Sequence, residues 1–318
     1  MGGRMTSHPH ASISIVGAGS IGVAFAVLFA SRGASVRIWD ALPDAFDRAA
    51  NELRSRLEML AKASALSEPP DEISSRISWH RNLAEALDGA DLVQECAPEN
   101  IDLKVDLFRW LADLTPDHVV LASSSSALIA SLIAPDIEIR RRVLVGHPGN
   151  PPYLIPVIEV VPSPETAQAI IDRAFEIYRN SHLKPVLVRR EVEGFIFNRL
   201  QGAVLREAYC LVRDGIASVD DIDEVMRSGL GRRWSVIGPF ETADLNTRGG
   251  IASHAEKMGP AYARMGAERG QNDPWTPDLV DEVTRQRREI MPLDQWEARV
   301  RWRDEQLLKA KLARDLNR

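Results

Sequence analysis

The sequence predicts an α/β protein, with an N-terminal doubly wound sheet followed by an all-helical C-terminal domain. Three observations carry this. A short apolar run over 12–16 leads through a glycine-rich turn into an Ala-rich helix. β-Branched runs then alternate with helical stretches as far as Val188, the pattern of a parallel sheet with crossover helices. Beyond Arg190 the strand pattern stops and amphipathic, Arg-rich stretches take over. A length of 318 residues favours two domains. Residues 1–11 read as a polar, flexible leader, 12–190 as the sheet domain and 191–318 as the helical one.

The first element, Ser12 to Val16, runs into Gly17-Ala18-Gly19-Ser20-Ile21-Gly22 and a helix from Val23 to Ser31. Strand, Gly-x-Gly-x-x-Gly, helix is the dinucleotide-binding context. Gly17 permits the tight turn, Gly19 lets the backbone approach a pyrophosphate, and Gly22 lets helix and strand pack closely. The phosphates then rest on the helix N-terminus. A second strand, Ser35 to Trp39, ends at Asp40, placed to accept hydrogen bonds from a ribose diol. A 2′-phosphate there would be repelled, so the expected cofactor is NAD rather than NADP, held in a Rossmann-type domain.

A charged helix follows over about 44–65, broken by Ser67-Glu68-Pro69-Pro70. The next strand, Asp91 to Cys96, leads through Pro98-Glu99-Asn100 into a helix over about 102–114. Glu99 and Lys104 sit at a strand's carboxyl end, where doubly wound sheets place ligands, although a solvated helix start explains them as well. A strand over 118–122 ends in four serines, Ser123 to Ser126, which either offer hydroxyls to a ligand or cap the next helix.

Two apolar runs then carry one ionisable group each. His147 closes the run that starts at Val143, and Glu159 sits between Ile158 and Val160. A carboxylate in such a strand is costly to bury without a partner. An imidazole on the neighbouring strand could be that partner, with one ring nitrogen held and the other free to act as a base. A helix over about 164–180 and a strand at 186–188 complete the domain. The C-terminal part begins with a long helix over about 194–214, carrying Asn198 near its start. Ser218 caps another helix, with Asp220 and Asp221 in its first turn. Gly229 to Trp234, containing Arg232 and Arg233, reads as a turn.

Bulk composition excludes several classes. A hydrophobic content of 45% and a charged content of 26% are those of an ordinary soluble globular protein. A net charge of −6 offers no basic field to nucleic acid. No apolar run reaches the ~18 residues of a membrane span. Cys96 and Cys210 read as reduced core residues, and no Cys/His cluster suits a metal. With no secretory signal in view, the expected location is the cytoplasm.

These motifs together resemble the 3-hydroxyacyl-CoA dehydrogenase superfamily, most closely the branch of lambda-crystallin and L-gulonate 3-dehydrogenase. The resemblance rests on Ile15 to Gly22, Glu95 to Lys104, Ser123 to Ser126, Gly146 to Pro152, Glu159, Gly194 to Arg199, Gly229 to Asn246 and the tail Arg301 to Glu305. It implies that His147 is the catalytic base with Glu159 as its partner. It places Ser126 and Asn198 beside the reacting oxygen, and Ser20 and Ile21 where the backbone meets the pyrophosphate. It assigns Asp40, Glu99 and Lys104 to the cofactor, and it implies a homodimer. Gly149 stands where a bulkier residue is usual, which would widen the pocket. Arg233 is a candidate to hold a substrate carboxylate, since a guanidinium can grip one bidentately.

The implied reaction is NAD-dependent oxidation of the 3-hydroxyl of a free, L-gulonate-like 3-hydroxy acid. A 3-hydroxyacyl-CoA thioester or carnitine is the alternative substrate, the latter with Trp234 and Tyr153 as the only aromatic candidates to face a trimethylammonium. A structural NAD-binding protein without turnover is the non-enzymatic alternative.

Overall fold

The computed structural model describes residues 11–42, 44–235, 238–246 and 250–270, with scattered positions between 278 and 313. The expected leader, Ala11 aside, lies outside the described residues. Two compact units are present: Met1–Arg199 together with Arg301–Arg318, and Leu200–Val300.

The first unit is built on one eight-stranded sheet. Its strands are β1 (Ser12–Val16), β2 (Ser35–Trp39), β3 (Ile77–His80), β4 (Leu92–Glu95), β5 (Val120–Ser123), β6 (Val143–Pro148), β7 (Val157–Pro162) and β8 (Lys184–Leu187). Their order is β3-β2-β1-β4-β5-β6-β7-β8. Every pair from β3 to β6 is parallel, whereas β7 runs antiparallel to β6 and β8 parallel to β7. The order reverses between β1 and β4, the switch point at which such sheets bind ligands. The carboxyl ends of β1, β2, β4, β5 and β6 therefore share one edge.

Helices α1 (Ser20–Ala30), α2 (Ala45–Lys62), α3 (Pro70–Ser74), α4 (Leu83–Leu87), α5 (Ile101–Leu114), α6 (Ala130–Ile133), α7 (Ile137–Arg140) and α8 (Gln168–Asn180) join the strands. Helix α1 has no polar face, because Gly22 through Ala30 are all buried. Phe25 and Phe29 stack within it at 5.6 Å, and truncating either to Ala would cost ~3–5 kcal/mol. Strand alternation sends Ile13, Leu92, Val120 and Leu144 to one core with α1 and α2. It sends Val93, Leu121, Val143 and Val145 to a second core with α5. By the same alternation Glu95, Ser123, His147 and Glu159 share that second face. Strand β3 carries no apolar pattern in the sequence, since Ile77-Ser78-Trp79-His80 is a four-residue edge strand with none of its residues fully buried.

The tail departs from the expected division. Leu308 is buried in the core of the first unit and Leu312 packs against it, so these two residues group with the sheet rather than with the helices.

The second unit continues α9 (Phe197–Arg213) and adds α10 (Val219–Glu224), α11 (Gly231–Trp234), α12 (Pro239–Asn246) and α13 (Gly250–Arg269). Ser218 caps α10 as expected, in a reciprocal capping box with Asp221. The expected turn over Gly229–Trp234 is instead helical. Val225–Leu230 forms a π-helical turn that runs straight into α11. Gly231 makes this possible: its amide donates to the Met226 carbonyl, and a Cβ there would lie 2.6 Å from that oxygen.

Candidate active site

The glycine turn has the shape its sequence requires. Gly17 has φ +111°, and a Cβ on it would lie 2.7 Å from the Cys96 carbonyl oxygen, so only glycine fits. Gly22 would bring a Cβ to 1.9 Å from the Gly17 carbonyl oxygen. At Gly19 a Cβ would enter open space, and its absence leaves the backbone approachable. Ser20 and Ile21 open α1, where first-turn amides have no acceptor within the helix. Asp40 lies beside this turn, its carboxylate accepting from the Ala18 amide at 2.7 Å and the Leu42 amide at 2.8 Å. A carboxylate has further lone pairs for a ribose diol. The chemistry of this cradle fits a dinucleotide: approachable amides for phosphates and an acid for hydroxyls.

His147 and Glu159 are directly opposite each other in the antiparallel register of β6 and β7. His147 Nδ1 lies 2.7 Å from Glu159 Oε2, and both side chains are buried. The other carboxylate oxygen accepts from the backbone amides of Ile196 at 2.7 Å and Phe197 at 2.9 Å. Those amides are aimed by two successive residues with positive φ, Gly194 at +75° and Phe195 at +49°. Phe195 is wholly buried. Its ring lies 5.6 Å from the imidazole, and that of Phe197 stands edge-on at 6.2 Å. The turn that leads into α9 thus holds the carboxylate and walls the imidazole. Next in sequence, Asn198 donates from Nδ2 to the Ser126 carbonyl at 3.1 Å, joining two further residues of the expected site.

Glu99 and Lys104 are placed differently from each other. Glu99 is partly exposed at the carboxyl edge and accepts from the Ser125 hydroxyl and from the Ala127 amide at 3.3 Å. Lys104 is only 1% exposed. Its Nζ donates to Glu95 Oε1 at 2.7 Å, Glu95 Oε2 at 2.8 Å and the Ala97 carbonyl at 3.3 Å. The ammonium expected at the cofactor is thus bound to Glu95, and it also lies 3.7 Å from Glu99 Oε2. Glu95, to which the sequence motifs assign no role, is the centre of this cluster. Besides Lys104 it accepts from the Ser123 hydroxyl at 2.5 Å and the Ala97 amide at 2.6 Å. Burial pushes its carboxyl above the usual range, with Lys104 and the other donors pulling it back. Its signal is an acid in a buried strand, at the end of Leu92-Val93-Gln94, as Glu159 is an acid within the apolar run of β7.

Three expectations meet different fates. Arg233 is exposed on α11, in the second unit. Gly149 does not widen a pocket, because a Cβ there would strike Ile155 Cγ2 at 2.4 Å, inside its own hairpin. Tyr153 is buried and has a cation of this chain beside it, with the Arg56 guanidinium carbon 5.9 Å from the ring centroid. Among the described residues no group of three His, Cys, Asp or Glu side chains could hold a metal ion.

A dinucleotide cradle and a buried histidine–carboxylate pair on one sheet define an NAD-dependent oxidoreductase. Comparison with known proteins makes the class specific. The 3-hydroxyacyl-CoA dehydrogenase NAD binding domain matches residues 12–192, and the 3-hydroxyacyl-CoA dehydrogenase C-terminal domain matches 194–289. The chain belongs to the 3-hydroxyacyl-CoA dehydrogenase family. Lambda-crystallin of Oryctolagus cuniculus is 39% identical over 317 residues, covering 98% of this chain and 99% of that one. L-carnitine dehydrogenase of Nocardiopsis dassonvillei is 37% identical over 285 residues, 88% of this chain and 82% of the relative. A solved structure of 5-formyl-3-hydroxy-2-methylpyridine 4-carboxylic acid 5-dehydrogenase superposes with a TM-score of 0.81 at 27% identity, covering 95% of this chain and 98% of that one.

Proposed function

We propose that the protein oxidises the 3-hydroxyl of a free 3-hydroxy acid to the 3-keto acid, with His147 as general base. The observation that carries this reading is the buried His147–Glu159 pair. A carboxylate can only accept a hydrogen bond, so the ring proton belongs on Nδ1 and Nε2 keeps its lone pair. The substrate hydroxyl gives its proton to Nε2, and Glu159 stabilises the imidazolium that forms. NAD, when bound, would supply the hydride acceptor for C3, the carbon that bears the hydroxyl. The Ile196 and Phe197 amides keep Glu159 from turning towards the substrate. Asn198 and Ser126 orient the hydroxyl and the carbonyl that replaces it.

Two relatives named for carboxylate-bearing substrates, carnitine and a pyridine carboxylic acid, support a free acid, while a 3-hydroxyacyl-CoA dehydrogenase at 39% identity supports the thioester as the second reading. An NADH-formation screen over free 3-hydroxy acids, aldonates, carnitine and short 3-hydroxyacyl-CoAs tests this. The reading predicts highest kcat/KM on a free acid, whereas a preference for 3-hydroxybutyryl-CoA would contradict it. Arg233→Ala checks whether that residue holds the carboxylate, in which case only free acids lose affinity. A cytoplasmic homodimer completes the proposal. Leu200, Ile216, Val225 and Phe240 of the second unit are exposed, apolar surface that a second copy would cover. Sedimentation as a monomer at micromolar concentration would remove the dimer.

A further inference from the structure

One charged residue stands at the cofactor turn without a role in the reading above. Arg56, on α2, reaches thirty-six positions back in sequence to the first residue of α1. Its Nη1 donates to the Ser20 carbonyl at 3.0 Å, and its Nη2 donates to the Ser20 hydroxyl at 2.7 Å and to Glu52. Ser20 Oγ also meets Glu52 Oε1 at 3.1 Å. On the other side the guanidinium faces the buried Tyr153 ring. An Arg–Glu pair at i,i+4 is ordinarily a weakly stabilising, solvated helix face. This pair is different because the guanidinium is drawn off its own helix onto the residue that opens α1, and an aromatic ring fixes its direction.

Doubly wound folds rest the pyrophosphate on that first turn. The helix end alone supplies only about half a positive charge there, against two negative charges of a pyrophosphate. A guanidinium is always charged and has N–H groups beyond those used on Ser20 and Glu52. We propose that Arg56 is a coenzyme-binding residue that supplies the positive charge for the NAD pyrophosphate, with Glu52 holding it in place and attenuating it. The inference rests on NAD binding and is independent of which hydroxy acid is oxidised. Its signature is specificity for the phosphates. Arg56 strengthens ligands that carry a pyrophosphate and leaves a bare nucleoside unaffected. Glu52 opposes it, since removing that carboxylate frees the guanidinium for the ligand.

Calorimetric titration of the full chain with ADP-ribose and with adenosine separates the possibilities, without substrate or turnover. Arg56→Met is expected to raise the Kd of ADP-ribose about tenfold, the loss of one charge-assisted hydrogen bond in a partly solvated site, and to leave that of adenosine unchanged. Arg56→Lys keeps the charge and recovers part of the loss. Glu52→Gln tightens ADP-ribose by roughly threefold, and only while Arg56 is present. If Arg56 merely staples α2 to α1, Arg56→Met and Glu52→Gln both lower the unfolding midpoint and neither discriminates the two ligands. That result, or a wild-type affinity for ADP-ribose in Arg56→Met, overturns the proposal.

Discussion

Glu95 and Glu159 occupy the same face of the sheet, Glu95 at the end of β4 and Glu159 inside β7 between Ile158 and Val160, and each meets one basic side chain at 2.7 Å. They differ in what the partner keeps in reserve. Lys104 directs its amine at Glu95 and a backbone carbonyl, and the same amine lies 3.7 Å from Glu99 Oε2. His147 gives Nδ1 to Glu159, and its second ring nitrogen remains for chemistry. The carboxylates are also satisfied differently. Glu95 takes a hydroxyl, an amide and an ammonium, while Glu159 takes two amides from the start of α9. Burial of an ion pair is thus no sign of catalysis by itself. The distinguishing feature is a partner with one titratable atom uncommitted.

The largest consequence falls on turnover. His147→Gln should cut kcat by ~10²–10⁴-fold, the usual worth of a general base, while the Kd for NADH, read by fluorescence, stays at the wild-type value. At the other pair the same kind of change should act on stability. Lys104→Met leaves Glu95 buried without its counter-charge, which costs ~3–5 kcal/mol in urea unfolding. That deficit depends on pH with a definite sign. Burial raises the Glu95 carboxyl, so without Lys104 the folded state binds a proton that the unfolded state has lost. Stability of the variant is then highest below the ordinary glutamate range and falls as pH rises through the raised value. A deficit that grew on acidification would show that Glu95 is not the group responsible.

A smaller effect is expected where the His147 pair meets the backbone. Gly194→Ala forces a Cβ onto a residue at φ +75°, costing about 1–2 kcal/mol, and the displaced amides should lower kcat more than they change the KM for NAD. The smallest belongs to an exposed counterpart in the second unit. Asp214 accepts from Arg213 at 2.9 Å and from Arg269, and these bonds hold its carboxyl below the ordinary aspartate range. Its contribution is present above the unfolded value and lost as pH falls through the lowered one. Asp214→Asn should therefore lower the thermal midpoint slightly near neutral pH, and the gap should close in acid.

What could be read from sequence followed the range of the interaction. The glycine turn and Asp40 are local patterns whose geometry is dictated by neighbouring residues. His147 and Glu159 were visible because charges in apolar strands demand partners, and the register supplied the expected one. Glu95 carried the same signal, yet its partner lies nine residues on, on a helix, where Lys104 reads as a residue facing the ligand. Only the helix's rotation turns that amine inward. The same ambiguity hid Arg56, one charge among many on α2. Gly229 and Gly231 suggested a turn because glycine permits one, but the latter instead admits a carbonyl against the backbone. Leu308 reaches the first core through a return of the chain that periodicity does not encode.

The most direct test of the central claim is the pH dependence of single-turnover NADH formation on the best free acid. With the wild-type enzyme the rate should fall on the acid side as one group takes up a proton. In His147→Gln the residual rate should be flat across that range, with NADH binding the same in both. An acid limb that survives unchanged in His147→Gln would show that another residue receives the proton.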